Sequence, residues 1–278
     1  MAQPTPSLYA LDPALPVLLR PDGAVQLGWS PRRAVLIQPP RGVTAVGLAT
    51  LLRAMHSPVS VSELQRHSDL SAGELDDLLA QLVTAGVATR GARQRPTRSA
   101  SIRVHGRGPL SELLAEGLRC SGARIKQSNQ PHATVTAADA DLVVLSDNLV
   151  ADPRMLRDLH SQGVAHLAVR VRDGTGLVGP LVVPGVTSCL GCADLHRRDR
   201  DAALPAVAAQ LRDTVGVADR ATLLATAALA LSQVNRVIGA VRGAESEPPT
   251  SLNATLEFDV HAGSIVVRQW PKHPLCSC

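Results

Sequence analysis

Four of the five cysteines in this 278-residue chain stand in two tight pairs, Cys189-Leu-Gly-Cys192 and Cys276-Ser-Cys278, more than eighty positions apart. C-x2-C spacing lets one loop present two thiolates about a tetrahedron edge apart, and a second pair from elsewhere closes the coordination. The chain must therefore fold its tail back onto a mid-chain loop. The opening Met1-Ala-Gln-Pro-Thr-Pro6 has no basic segment followed by an apolar run, and Ala221 to Ala230 is about half the length that spans a bilayer. A cytoplasmic location is the expectation, and there paired cysteines suggest metal before disulfide. Four sulfurs with no open position describe structural rather than catalytic zinc. Iron-sulfur ligation also takes four cysteines, but no redox-partner motif accompanies them. A disulfide and unpaired buried thiols are the remaining alternatives. His196 and His273 lie near the pairs in sequence and are expected to be bystanders; Cys120 is expected in the core.

The length favours two domains. With two Trp, one Tyr and one Phe in the whole chain, the core must be built from Leu, Val and Ala, and stacking platforms for single-stranded nucleic acid are nearly absent. The net charge of +4 is widely spread; its one dense run, Arg90 to Arg98, is interrupted by Gly, Pro, Ser and Thr and reads as a linker.

Residues 1–92 have the pattern of a winged-helix-like module. Val25, Leu27 and Trp29, then Ala34 to Ile37, read as two short strands around a turn. Val46, Leu48, Leu51, Leu52 and Met55 have helical spacing. Ser60-Val-Ser-Glu63 and Ser71-Ala-Gly-Glu74 are capping signatures, and the second opens a helix with Leu75, Leu78, Leu79, Leu82 and Val83 on one face before Gly86. The carboxylates of Glu74, Asp76 and Asp77 argue against duplex DNA at that helix. A peptide added to the small sheet's edge fits better, with Val35, Ile37, Leu75, Leu78 and Leu79 as its expected contacts.

After a basic linker over residues 93–100, residues 101–278 read as a Rossmann-like domain with a mostly parallel sheet. A strand at Ser101 runs through Gly106-Arg-Gly108 into a helix with Leu110, Leu113, Leu114 and Leu118. A candidate strand at Ala123 to Gln127, Asp141 to Ser146 as a buried strand, Pro153 to Gln162 as a helix and Ala165 to Val171 as a strand follow. Ala218 to Val241 reads as one Ala-rich buried helix, and Thr255 to Val260 with Ser264 to Trp270 as a C-terminal hairpin. The glycine turn departs from a nucleotide-binding one: Pro109 removes an amide, Ser111 stands where a third glycine is expected, and Ala123 to Gln127 carries no ribose acid. Asp147, beyond the Leu142 to Ser146 strand, reads either as a relic metal or nucleotide contact or as a helix cap. Gly106, Gly108 and Asp147 form the candidate, degenerate nucleotide site.

Gly28-Trp-Ser-Pro-Arg-Arg-Ala-Val-Leu36, Gly106-Arg-Gly-Pro-Leu110, Leu145-Ser-Asp-Asn-Leu149, Val178 to Gly185, Cys189 to Cys192 and His273 to Cys278 jointly resemble one family. Val25 to Thr89 resembles the RiPP recognition element, a winged helix that captures precursor leader peptides. Ile102 onward resembles the ThiF-type fold in the form found in thiazole/oxazole-modified microcin biosynthesis. The resemblance implies a non-catalytic leader-peptide-binding component serving a separate YcaO-type cyclodehydratase. It also implies structural zinc on Cys189, Cys192, Cys276 and Cys278, and a homodimer as an open option. Activating ThiF-type enzymes adenylate a carboxylate with ATP; only Gly106, Gly108 and Asp147 have counterparts here, so ATP chemistry is not expected. An adenylating enzyme and a winged-helix DNA-binding regulator are the rival readings.

Overall fold

In the computed structural model residues 7–92, 98–130, 135–243 and 247–278 are described. The chain divides into two compact units, Met1–Arg95 and Pro96–Cys278. Residues 93–97, most of the expected linker, lie outside the described residues.

The first unit holds β1 (Ser7–Leu11), β2 (Val17–Leu19), β3 (Val25–Leu27), β4 (Val35–Ile37), α1 (Ala45–Ala54), β5 (Val59–Ser60), α2 (Val61–Arg66), α3 (Ala72–Thr84) and β6 (Ala88–Ala92). Each helix starts on a hydroxyl. Thr44 accepts from the Gly47 amide at 3.0 Å, Ser60 from Glu63 at 3.3 Å, and Ser71 from Glu74, whose carboxylate returns the bond to the Ser71 amide at 2.9 Å. Leu48, Leu51, Leu52 and Met55 bury the inner face of α1, while Val46 faces out. Two three-stranded sheets flank the helices, ordered β5-β1-β6 and β2-β3-β4. Strand β3 stops at Leu27 because Gly28 adopts φ +88°, a left-handed conformation that breaks the alternation and leaves Trp29 exposed.

The second unit is an α/β domain around one seven-stranded sheet, ordered β13-β12-β11-β10-β9-β7-β8. Its elements are β7 (Ser101–His105), α4 (Pro109–Leu118), β8 (Arg124–Ser128), β9 (Leu142–Ser146), α5 (Pro153–Ser161), β10 (His166–Arg172) and β11 (Thr175–Val182). They are followed by α6 (Leu190–Arg200), α7 (Leu204–Gln210), α8 (Arg220–Val241), β12 (Ala254–Asp259) and β13 (Ser264–Gln269). Strands β8, β7, β9 and β10 are parallel neighbours, as strand-helix alternation predicts. Beyond β10 the sheet continues antiparallel. There Asp173-Gly174, both at positive φ, form a two-residue turn that returns the chain antiparallel as β11. The expected hairpin, β12 and β13, extends that antiparallel half.

Helix α8 packs on α4, β10 and β11 through Leu223, Ala227, Ala230, Val234 and Ile238. By length and composition it could cross a bilayer, the one such helix among the described residues; here that face belongs to the core. Cys120 lies in a 3-10 turn past Leu118, the last core-facing residue of α4, and is exposed, which corrects its expected place in the core.

Candidate functional site

The two cysteine pairs meet. Cys189 caps α6, and the tail beyond β13 brings Cys276 and Cys278 to it. The Sγ separations are 3.9 Å for Cys189 to Cys192, 3.5 Å for Cys189 to Cys276 and 3.5 Å for Cys192 to Cys278, and the four sulfurs lie within 4.8 Å of one another. A tetrahedron with metal-sulfur bonds of about 2.3 Å has edges of about 3.8 Å, so this donor set could bind a metal such as zinc. The amides of Cys192 and His273 donate to Cys189 Sγ at 3.4 Å and Cys192 Sγ at 3.3 Å. Burial would raise the Cys192 thiol, but the amides of His273 and Cys189 and the adjacent thiols of Cys278 and Cys276 outweigh it and bring its pKa to about 7. Burial raises Cys189 and Cys278. Four sulfurs at these distances cannot all ionise without a cation between them, which a bound metal would supply.

His273 is nearly buried beside the sulfurs. Its Nδ1 accepts from the Leu275 amide at 3.1 Å, so Nε2 carries the proton and donates to Asp199 Oδ2 at 2.8 Å. His196 packs edge-on at 4.7 Å and donates from Nε2 to the Pro271 carbonyl. The His273 nitrogens are thus committed to holding the tail against α6, a clasp beside the cysteine cluster. Nothing in the sequence pointed to Asp199; only the fold brings it to His273.

The glycine turn between β7 and α4 has a different occupant from the one its motif suggests. Asp147 follows β9 and is 1% exposed, and its carboxylate accepts from the amides of Leu110 at 2.9 Å and Ser111 at 3.2 Å. It sits at the N-terminus of α4, where the exposed amides and the helix dipole favour an anion. The Gly108 amide donates to Ser111 Oγ, and Glu112 donates to the Gly108 carbonyl. Pro109 has no N–H, so every backbone donor from Gly108 to Glu112 is satisfied within the chain. A Cβ at Gly106 would lie 2.6 Å from Asp147 Oδ2, and one at Gly108 2.8 Å from Oδ1 and 3.1 Å from Val215. The glycines make room for this carboxylate. Gly106, Gly108 and Asp147 are therefore brought together, with Asp147 as a helix cap. A neighbouring cleft of about 770 Å³, its open mouth included, is lined by His105, Arg107, Asn129 and Asn148 among others.

In the first unit, among the described residues, β4 pairs only with β3 and leaves one edge open. Val35 and Ile37 are half-buried against the core, while Leu36 is 56% exposed. Leu75, Leu78 and Leu79 are core residues of α3, at most 7% exposed. This corrects their expected role as groove contacts: the face read as binding closes the unit's own core.

No family profile and no curated protein matches this chain. Solved structures do match its fold. The heterocyclase TruD superposes with a TM-score of 0.69 at 15% identity over 98% of this chain and 42% of its own, so the chain spans about two fifths of that enzyme. E. coli MccB with ATP superposes with a TM-score of 0.62 at 13% identity, covering 97% of this chain and 99% of MccB. The microcin C7 biosynthetic enzyme MccB in complex with N-formylated MccA gives 0.61 at 12% identity, with 97% and 99% covered. At these identities the likeness is one of fold.

Proposed function

We propose that this chain is a non-catalytic leader-peptide-binding and docking component of a peptide-modifying, azoline-forming system. The observation that carries this reading is the engagement of every donor from Gly108 to Glu112 within the chain, with Asp147 in the anion position of α4. Over that stretch no amide is left for a nucleotide's phosphates. The open edge of β4, with Leu36 on the solvent face, is available for binding, and an extended segment can add there as a strand. In this reading the first unit is a winged-helix RiPP recognition element and the second a ThiF-type scaffold closed by structural zinc on Cys189, Cys192, Cys276 and Cys278. In this reading the chain works with a YcaO-type enzyme, the kind of activity that the part of the heterocyclase beyond these 278 residues would carry.

Calorimetric titration with leader segments encoded beside this chain's gene, and with a neighbouring YcaO-type protein, tests the reading. Binding of at least one is expected, and failure of all of them would sink it. The second reading, ATP-dependent adenylation of a carboxylate, is favoured by the near end-to-end likeness to MccB crystallised with ATP. Pyrophosphate exchange and a thermal shift with Mg-ATP separate the two, and a clear response in either would replace the first reading by the second.

A further inference from the structure

A second cleft in the α/β unit, about 720 Å³ with its open mouth included, lies where α6, α7 and residues 149–151 meet β10. Its volume suits a small organic ligand. Leu149, Val150, Leu156, Leu190, Leu204 and Leu211 give it aliphatic walls. Three guanidinium groups also line it, and they differ in how they are neutralised. Arg197 is paired with Asp194 at 2.8 Å and lies over the Trp270 ring at 4.6 Å; Arg172 is near Asp173 at 3.9 Å. Arg170 makes one hydrogen bond among the described residues, from Nη1 to the Leu149 carbonyl at 3.1 Å, and no carboxylate stands within ion-pairing distance. Burial, and then the nearby Arg197, push its pKa down to about 10, so it still carries its charge at neutral pH.

A guanidinium has five donors in a planar fork. An unpaired charge in an apolar setting is costly, and an anion arriving from outside would relieve that cost. Helix α7 supplies an independent observation. Leu204, Val207, Ala208 and Leu211, at helical spacing, all line the cleft, yet no residue of this short apolar helix is buried. Among the described residues nothing covers its apolar face.

We propose that this cleft binds a singly charged carboxylate carried on an aliphatic group, with the carboxylate on the Arg170 fork and the aliphatic part under α7. The aliphatic walls and the Asp194 carboxylate disfavour a phosphate dianion. The site is separate from the glycine turn and from β4, and it does not depend on the peptide-docking reading.

Thermal shift on the full chain tests it with two probes: hexanoate, and the end-blocked peptide acetyl-Leu-Glu-Leu-amide. Hexanamide, acetyl-Leu-Gln-Leu-amide and inorganic phosphate serve as controls. At saturation one of the two acids raises Tm by about 2–4 °C, and which one does so tells a free acid from an acidic side chain. The neutral isosteres bind at least tenfold more weakly. Arg170→Met leaves the Tm of the unliganded protein unchanged or higher, because an apolar side chain replaces an unpaired charge, and it abolishes the response to acid. Val207→Asp, on an exposed position of α7, abolishes the response independently. The proposal is overturned if neither acid stabilises the protein, if phosphate does so equally, or if Arg170→Met lowers Tm by more than about 5 °C, which would mark a structural arginine.

Discussion

Asp147 holds φ at +72°, a conformation that Asp tolerates better than most residues and that turns its carboxylate back toward α4. Asp147→Ala removes a helix cap and strands the buried amides of Leu110 and Ser111, so urea denaturation should register a loss of about 1–3 kcal/mol. Asp147→Asn retains one acceptor and should lose less. A second residue sets the acid limit of the fold. His166 is fully buried in β10, with Nδ1 against the Val164 carbonyl and Nε2 unpartnered among the described residues, and burial lowers its pKa to about 4. Its unfolded value is near 6.5, so between pH 6.5 and pH 4 the unfolded chain binds the extra proton. Its contribution is therefore complete above pH 6.5 and is lost as pH falls toward 4, by about 3 kcal/mol in all. Denaturation at pH 7 and pH 4.5 should show this loss, and His166→Leu should flatten it.

At the scale of elements, legibility followed length and capping. The first turns of α2 and α3 could be read from Ser60, Ser71 and Glu74, because a hydroxyl three residues before a carboxylate has few other local uses. Strands β1, β2, β5 and β6 were missed, being two to five residues long, too short for a period of two to stand out. Strand β11 was missed although Asp173-Gly174 between apolar runs is a recognised hairpin signal. The glycine turn was read as damaged and Asp147 grouped with it, but that its carboxylate fills the turn could not be read, because Asp147 lies 37 positions from Leu110. Arg170, a cation between Val169 and Val171 in β10, was a legible signal that went unused. If β4 is the docking edge, Leu36→Asp should weaken leader binding about tenfold in calorimetry while moving stability by no more than about 0.5 kcal/mol, as for an exposed position.

For the whole molecule the cysteine cluster is decisive. A structural metal site contributes its binding free energy to folding, so chelation at pH 7 should cost several kcal/mol and lower Tm by about 10 °C. Cys278→Ser should reproduce much of that loss, and a metal content well below one equivalent in the native protein would contradict the zinc reading. Mg-ATP at millimolar concentration should move Tm by less than about 1 °C if the turn is closed as the hydrogen bonds indicate.

The clasp also has a bearing on biosynthesis. Cys192 and Cys278 are 86 positions apart, an interval of about 4–17 s at ordinary ribosomal speeds. Until β12 is made late in that interval, β11, buried along nearly its whole length in the finished fold, has only β10 beside it. The nascent protein thus carries an apolar, unpaired strand edge, open to aggregation. Metal capture by the second cysteine pair would lock β12 and β13 over that edge, making zinc supply a determinant of how much chain reaches the native state as well as of how stable that state is.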